Sequence, residues 1–332
     1  MKLIQVHHEW GTLKEVVVGI PYFHIPNKIL GNVKNYAATK GSAFLSEHLG
    51  KTIEQADPAL HQKMTAQMDG VIQILKDRGV IVHRPEVPNA LEERYLDAIS
   101  PVGGMQIFPR DPMLVIGNSF IETEPLSSMR RRERFGIRRA LGDRLSGVGA
   151  KVVSMPLALP HPEEGAGNVQ TSPLIEGGDV FVLGRDIYVG VSGNASNRAG
   201  VAWLAQYLGS DCRVHEVKLT QKFLHLDCCL STPRPDLAIV CREAFVDGLP
   251  DFLKDWQLIE LPFEQAKEQL GCNGLVLDEK TIIIHTELPG LAKSLRDAGQ
   301  QVIEMPFDAI YQFSGAFRCW HHPLIRESTL QD

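Results

Sequence analysis

One unit, a helix followed by a short break and a β-branched strand, occurs five times along this chain of 332 residues. The helices have an apolar face, glycine marks four of the five breaks, and proline follows four of the five strands. Units that repeat every roughly 45 to 70 residues are typical of architectures in which each unit buries its apolar face against its neighbours. The helix and strand of successive units are predicted at 68–76 and 80–84, 138–145 and 151–155, 201–208 and 213–217, 245–253 and 257–261, and 291–295 and 301–305.

A second kind of strand also recurs five times, and it consists almost entirely of apolar residues. Such runs are typical of strands that are covered on both faces. The two kinds together predict an α/β fold, a closed ring of five modules within one catalytic domain spanning 1–332, and the alternative is an open, doubly wound sheet. The second strands are predicted at 15–19, 113–117, 186–190, 237–240 and 280–284, and irregular insertions at 21–58 and 156–173.

Composition excludes several classes of function. The net charge of −6 gives no basis for binding nucleic acid or an anionic membrane. No apolar run approaches the ~18 residues that span a bilayer. Residues 1–10 lack the hydrophobic region of a signal peptide, and six scattered cysteines are typical of reduced thiols. The sequence therefore predicts a cytoplasmic protein.

Cys319 is the most informative cysteine, because Arg318 precedes it and a Ser-Gly-Ala turn leads into it. An adjacent arginine and a partly exposed loop lower the pKa of a thiol and make it a nucleophile, so we expect Cys319 to be reactive. The two histidines that follow could indicate a metal. However, neighbouring side chains on a strand point to opposite faces, and no zinc-ligand spacing is present. We predict no metal site.

Three other polar segments could meet Cys319 if the ends of the inner strands converge on the axis of a ring. Taken singly, each has an ordinary explanation: a surface ion pair, a tight turn, a core histidine or an inert thiol. Taken together, they supply carboxylates, a histidine and a thiol without a phosphate-binding loop. That set suits a planar cation with an electrophilic carbon, and a guanidinium fits best. The segments contain Asp111, then Glu176 and Asp179, then His225 and Asp227, which we expect on one face of an extended strand.

These segments, in this order, resemble the guanidino-group-modifying superfamily, which includes amidinotransferases, arginine deiminases and dimethylarginine dimethylaminohydrolases. The resemblance covers nearly the whole chain and is closest to glycine amidinotransferase in the N-terminal half. It is carried by residues 9–19, 109–122, 176–179, 225–227 and 315–319.

The resemblance implies a five-module β/α propeller with pseudo-fivefold symmetry, the pentein fold, and it implies no cofactor. It further implies that Asp111 and Asp227 bind the guanidinium while Cys319 attacks its carbon. His225 would transfer protons, with Glu176 steadying it. The implied partners are a small guanidino substrate, with L-arginine the default, and a small amine acceptor, and a homodimer is the default assembly. Asp179 is a further candidate for substrate binding, and Arg132, Arg138, Arg234 and Arg242 are candidates for the donor carboxylate, with Arg132 and Arg242 preferred.

The second nucleophile separates two activities: an amine gives an amidinotransferase, and water gives a hydrolase such as a deiminase. The N-terminal half, Trp320 and the overall length favour a transferase. Glu176 stands where the transferases have aspartate, and it matches the hydrolase form, as does the segment 192–200. The prediction is a transferase, with the hydrolase as the alternative. A binding protein that has lost turnover is a third hypothesis, which predicts no covalent adduct on Cys319.

Overall fold

The computed structural model describes residues 3–29, 39–97, 103–146, 150–158 and 172–327, apart from the side chains of residues 39 and 40. Its strands are β1 (Thr12–Val18), β2 (Phe23–His24), β3 (Ile81–His83), β4 (Gly104–Met105), β5 (Met113–Ile116), β6 (Ser119–Glu122), β7 (Lys151–Ser154), β8 (Val180–Leu183), β9 (Asp186–Val191), β10 (Arg213–Lys218), β11 (Leu230–Arg234), β12 (Leu237–Val240), β13 (Gln257–Glu260), β14 (Leu275–Asp278), β15 (Thr281–His285), β16 (Gln301–Met305) and β17 (His321–Glu327).

Some helices begin where the sequence supplies a capping side chain. Asp57 caps a helix whose first residue is Pro58, and its side chain accepts a hydrogen bond from the backbone N–H of Leu60 at 2.9 Å. Asn197 caps another helix in the same way, through the N–H of Gly200. The α-helices are α1 (Thr39–Glu47), α2 (Ile53–Ala56), α3 (Pro58–Asp77), α4 (Ala90–Asp97), α5 (Glu133–Ser146), α6 (Arg198–Leu208), α7 (Phe263–Lys267), α8 (Pro289–Asp297), α9 (Asp308–Tyr311) and α10 (Phe317–Trp320).

Within the described residues, five sheets have three strands each and share one pattern. The central strand pairs antiparallel with one neighbour and parallel with the other. The sheets are β5-β6-β7, β8-β9-β10, β11-β12-β13, β14-β15-β16 and β17-β1-β3. In the last sheet, the C-terminal β17 lies beside the N-terminal β1, so one module is built from both ends of the chain. The chain thus folds as the predicted five-module β/α propeller.

One predicted element differs from the structure. The helix expected at 245–253 is absent, and only a 3-10 turn, Asp251–Leu253, forms there. Gly248 has a φ of +85° and Pro250 follows it, so an α-helix cannot run through this segment. The strand predicted at 113–117 is present as β5, an outer strand of its sheet.

Parts of the predicted insertions, at 30–38 and 159–171, and the predicted break at Gly149 lie outside the described residues. Among the helices that are described, none is both long enough and apolar enough to cross a bilayer.

Candidate active site

Each of the five modules places a polar segment directly before its outer antiparallel strand. Because the modules are equivalent, these five segments have equivalent positions around the ring. Four of them contain the residues that the sequence singled out, and the fifth, before β14, was not predicted. The segments contain Asp111 before β5, Glu176 and Asp179 before β8, His225 and Asp227 before β11, Asn273 before β14, and Cys319 before β17.

The thiol of Cys319 lies in α10 and is 2% exposed. It donates a hydrogen bond to Oδ2 of Asp227 at 3.4 Å. The side chain of His225 also lies within hydrogen-bonding reach of this thiol. The structure thus brings the predicted nucleophile, the predicted proton carrier and one predicted guanidinium ligand together.

The electrostatic environment of Cys319 differs from the one expected. Burial raises the pKa of the thiol, the negative charge of Asp227 raises it further, and the contact with His225 offsets only part of that increase. The sequence predicted a lowered pKa because Arg318 is adjacent. That reasoning was wrong because the guanidinium of Arg318 points away, to Glu9 and to Asp227. The free enzyme therefore holds Cys319 as a neutral thiol.

Asn273, which the sequence analysis missed, holds the cysteine turn from the neighbouring module. Its Oδ1 accepts the backbone N–H groups of Ala316 and Cys319, each at 3.1 Å. Its Nδ2 donates to the sulfur of Cys319 at 3.2 Å and to the carbonyl oxygen of Asp227 at 3.0 Å. These four bonds fix the orientation of the amide. The fivefold repeat was the signal that could have found this residue, because it demands a fifth polar segment.

His225 is 1% exposed and lies between two carboxylates. Its Nε2 is 2.9 Å from Oε2 of Glu176, and its Nδ1 is 3.6 Å from Oδ1 of Asp111. Burial alone would lower the pKa of His225, but the charge of Asp111 and the contacts with Cys319 and Glu176 outweigh burial and raise it well above the ordinary value. The two carboxylates therefore favour the charged form of the ring.

The segment that contains His225 is not the extended strand that we expected. A 3-10 turn, Leu226–Cys228, begins immediately after His225. This turn still directs both His225 and Asp227 to the sulfur of Cys319.

Asp111 and Glu176 are already bridged by an arginine of the chain itself. Nη1 of Arg130 donates to Oδ2 of Asp111 at 2.7 Å and to Oε2 of Glu176 at 3.2 Å. Its Nε and Nη2 donate to the two oxygens of Glu133, at 2.8 and 3.0 Å. A guanidinium thus lies where the sequence predicted that the substrate guanidinium would bind. Arg130 belongs to a run of four arginines within 130–134, and the sequence gave no means of choosing which one points inward.

Arg318 is a second buried guanidinium of the site, and its contacts stabilise the turn that contains Cys319. It donates to Oε2 of Glu9 at 3.1 Å and to Oδ2 of Asp227 at 3.1 Å, and it stacks over the ring of Phe181 at 4.0 Å. A bidentate, stacked arginine holds its neighbours in a fixed geometry. Asp227 is therefore shared between Arg318 and the thiol of Cys319.

Comparison with known proteins assigns this chain to a family. Residues 36–326 match the family described as "N,N dimethylarginine dimethylhydrolase, eukaryotic". The chain belongs to that family of guanidino-modifying enzymes. Its relatives also include amidinotransferases, so the superfamily predicted from the motifs is confirmed.

Three relatives of this guanidino-modifying enzyme align over nearly its whole length. It is 26% identical to the L-arginine:L-lysine amidinotransferase of Pseudomonas savastanoi pv. phaseolicola, covering 94% of this chain and 91% of that one. It is 25% identical to the mitochondrial glycine amidinotransferase of Gallus gallus, covering 98% and 83%. Its structure is similar to that of SxtG, an amidinotransferase from Microseira wollei in the saxitoxin biosynthetic pathway, with a TM-score of 0.82, 25% identity and 99% of each chain covered.

Other candidate residues of this guanidino-modifying enzyme lie elsewhere or have another task. Oδ1 of Asp179 accepts the N–H of Leu226, and Oδ2 accepts the N–H of Ser196, so this carboxylate connects two loops. Burial raises the pKa of Asp179 to about 7. These contacts assign Asp179 to the scaffold and not to the substrate.

None of the four arginines considered for the donor carboxylate contacts the catalytic group in the described part of the chain. Arg242 is exposed and pairs with Glu260. Arg132 contacts Asp97 at 2.6 Å in a separate cleft. We therefore withdraw both preferred arginines as ligands of a donor bound at Cys319. Of the other two, Arg138 pairs with Glu122 and Arg234 with Asp236.

One group of side chains has the geometry of a metal site. Asp111, Glu176 and His225 place ligand atoms within 4.8 Å of one another. One feature opposes a metal there: the guanidinium of Arg130 already binds both carboxylates. The two carboxylates and the histidine suit a guanidinium, with its electrophilic carbon, better than a metal ion.

Proposed function

We propose that this enzyme is an amidinotransferase, which moves the amidino group of a guanidino donor to an amine through a covalent intermediate on Cys319. The observation that carries the proposal is the position of the sulfur, 3.4 Å from Asp227 and 3.2 Å from the amide of Asn273, with His225 near enough to influence the pKa of the thiol. The donor we propose is L-arginine, because one relative is an L-arginine:L-lysine amidinotransferase.

The donor first has to displace Arg130. Arg130 already binds Oδ2 of Asp111 and Oε2 of Glu176, so a second guanidinium cannot bind these two oxygens in the same place. We propose that the donor guanidinium takes over the contacts to Asp111 and Glu176. The guanidinium of Arg130 keeps its bidentate pair with Glu133 as it withdraws, which limits the free energy lost on exchange.

Entry of the donor also activates the nucleophile. The thiol of Cys319 is neutral because it is buried and faces Asp227. A cation beside the sulfur favours the thiolate, so the pKa of the thiol falls when the donor binds. Since the charged form of His225 is favoured, we propose that the thiol proton leaves to solvent and that His225 keeps its own.

The first half-reaction then follows from the positions of these groups. The sulfur lone pair forms a bond to the central carbon of the guanidinium, and the π electrons move to nitrogen. The C–N bond to the departing amine breaks as His225 gives that nitrogen a proton. The amidino group remains on sulfur as a planar cation, which Asp111 and Glu176 stabilise electrostatically.

In the second half-reaction, an amine attacks the same carbon. Neutral His225, oriented by Glu176 at 2.9 Å, takes a proton from the attacking nitrogen. The C–S bond breaks, and its electron pair returns to sulfur. Splitting one substitution into two steps is the usual advantage of covalent catalysis.

A guanidino hydrolase is the second candidate function, with water in place of the amine. Two observations favour it. The family to which the chain belongs is described as a hydrolase family, and position 176 holds glutamate, the hydrolase form, where the transferases have the shorter aspartate. The variant Glu176→Asp separates the two, because a transferase should keep amine-dependent turnover with the shorter side chain. Loss of all turnover in that variant, with the thiol still reactive, would favour the hydrolase.

The direct test incubates the enzyme with L-arginine, with and without L-lysine, glycine and other amines, and measures ornithine, citrulline and ammonia. Ornithine that forms only when an amine is present, together with the amidino-amine product, is the expected result. Citrulline and ammonia in buffer alone would contradict the transferase and establish the hydrolase. Cys319→Ser is the control, and it should abolish both turnover and the covalent adduct seen by mass spectrometry.

A further inference from the structure

A cleft separate from the catalytic group opens beside the two-stranded sheet β2-β4. Its cavity volume is about 80 Å3. That volume is below the ~300–1,000 Å3 of sites for larger ligands, so the cleft suits a ligand of only a few heavy atoms. Its polar lining includes Tyr22, Glu93, Gln106 and Arg132, and it shares none of its lining residues with the group around Cys319.

Gln106 is the feature of this cleft that most clearly points to a ligand. The residue is 2% exposed, and its Nε2 donates to the backbone carbonyl of Glu133 at 3.2 Å. Its Oε1 is buried and accepts no hydrogen bond within the described parts of the chain. A buried acceptor without a donor destabilises the fold, so the unpaired oxygen of a residue that lines the cleft indicates a missing donor.

Two further acceptors line the same space. Neither the hydroxyl of Tyr22 nor the carboxylate of Glu93 has a hydrogen bond or salt bridge to any residue that the structure describes. The two residues line the same cleft, and burial together with the charge of Glu93 raises the pKa of Tyr22. The second carboxylate of the cleft, Asp97, is already paired with Arg132 at 2.6 Å.

The cleft therefore offers acceptors and one uncompensated negative charge, which excludes an anion as its best ligand. We propose that it binds a small primary ammonium ion, whose three N–H groups would donate to Glu93, to Oε1 of Gln106 and to the oxygen of Tyr22. An ammonium supplies three donors from one compact centre, whereas a carboxylate ligand would meet the charge of Glu93.

Gln106 also connects the cleft to the catalytic group. Its amide holds the backbone of Glu133, and the carboxylate of Glu133 holds Arg130, which bridges Asp111 and Glu176. Two residues, Gln106 and Glu133, therefore connect an amine in the cleft to the guanidinium of Arg130, which the donor has to displace. This consequence rests on the proposed function, but ammonium binding itself does not.

The test measures binding of n-propylammonium to the full chain by calorimetry, with no guanidino donor present. The expected result is saturable binding that Glu93→Gln weakens about tenfold and Tyr22→Phe weakens about two- to fivefold, since each removes one hydrogen bond from the ammonium. The matched control is Glu92→Gln, one residue away on α4, where the carboxylate pairs with Arg139 and does not line the cleft. That control should bind as the wild type does.

Two further arms locate the site and establish its chemistry. Propanol, which has the same apolar part without the charge, should bind at least tenfold more weakly. Protein in which Cys319 has been alkylated should bind n-propylammonium unchanged, because the cleft is separate from the thiol. Equal binding of propanol, loss of binding on alkylation, no binding at all, or no effect of Glu93→Gln in a folded variant would each overturn the proposal.

Discussion

The sulfur of Cys319 is surrounded by groups that come from distant parts of the chain. Asn273 is 46 residues away and Asp227 is 92 residues away, yet both contact the same atom. One of these neighbours donates a hydrogen bond to the sulfur and the other carries a negative charge. The reactivity of the thiol therefore depends on both the hydrogen bond from Asn273 and the negative charge of Asp227.

Asn273→Asp tests this balance. The aspartate keeps an oxygen for the N–H groups of Ala316 and Cys319, but it loses the donor to sulfur and adds a negative charge beside it. We expect the pH profile of Cys319 alkylation by iodoacetamide to shift to higher pH, and turnover to fall about tenfold or more. Asn89→Asp, at an exposed position, is the control and should leave the profile unchanged. An unshifted profile in Asn273→Asp would mean that the residue only shapes the turn.

The pH dependence of the thiol follows from the direction of its pKa shift. Because burial and Asp227 raise this pKa above the usual ~8.5, the thiolate fraction of the free enzyme at neutral pH is lower than that of an ordinary cysteine. Alkylation of Cys319 should therefore keep accelerating above pH 9. A bound guanidinium cation, such as methylguanidine at saturating concentration, should lower the apparent pKa, because its positive charge favours the thiolate. The measurement is the alkylation rate against pH, by mass spectrometry of the Cys319 peptide, and a profile with an ordinary midpoint would contradict the assignment.

Arg130→Met tests whether the resident guanidinium can be exchanged. Its removal leaves Asp111, Glu176 and Glu133 buried without their common cation, which should cost about 3–5 kcal/mol of stability. Added methylguanidine should raise the melting temperature of this variant more than that of the wild type, because it can occupy the vacated position. Arg242→Met, which removes an exposed partner of Glu260, is the control. Equal effects of methylguanidine on both variants would exclude exchange.

At the scale of elements, the turns before the outer strands hold the catalytic side chains by close backbone packing. A Cβ on Gly178 would lie 2.5 Å from Nδ1 of His225 and 2.9 Å from Oδ1 of Asp111. A glycine is required there because no side chain fits between these two groups. The Gly-Gly turn is thus part of the site.

Gly178→Ala should therefore displace His225, and we expect kcat to fall about 100-fold or more because proton transfer depends on that position. The matched control is Gly142→Ala in α5, where a Cβ would meet no atom within 4 Å. That control should keep full activity and gain up to about 1 kcal/mol of stability, since alanine is the better helix former. Steady-state kinetics and urea unfolding of both variants provide the measurements, and an active Gly178→Ala would show that the turn can relax.

At the scale of the whole molecule, closure of the ring depends on the chain termini. β17 carries the C-terminal module strand and pairs with β1 along its length. Arg326 strengthens this closure by donating to the carbonyl oxygens of Gly11 at 2.7 Å and Val276 at 2.9 Å. Because Cys319 lies in the turn that leads into β17, closure of the ring and placement of the nucleophile are one structural event.

Leu324→Ala in β17 tests that connection. Leu324 is fully buried, so truncation should cost about 2–5 kcal/mol through the cavity it leaves. We expect the urea midpoint to fall, and circular dichroism and Cys319 accessibility to change at the same urea concentration. Val246→Ala, at a position 57% exposed, should change stability by less than about 0.5 kcal/mol. Exposure of Cys319 well before the loss of secondary structure would contradict a single closing event.

The sequence alone determined the module pattern and the positions of most site segments. Hydrophobic periodicity, β-branched runs, caps and turn residues are local properties, and each acts on residues a few positions apart. They were sufficient to predict a ring of five modules, while the chemistry of the polar segments and the family resemblance selected Cys319, His225, Glu176, Asp227 and Asp111. The one predicted helix that failed, at 245–253, contained its own local breakers at Gly248 and Pro250.

Only the tertiary structure decided how those residues are charged and what they contact. The contact of Arg318 with Asp227, the contact of Arg130 with Glu176 and the amide of Asn273 beside the sulfur all join different modules. Glu9 and Arg318 also meet, although 309 residues separate them in the sequence. Periodicity carries no information about such contacts, because it records only which face of an element is buried. The pKa of a thiol depends on burial and on the charges around it in space, so adjacency in sequence gave the wrong direction for Cys319.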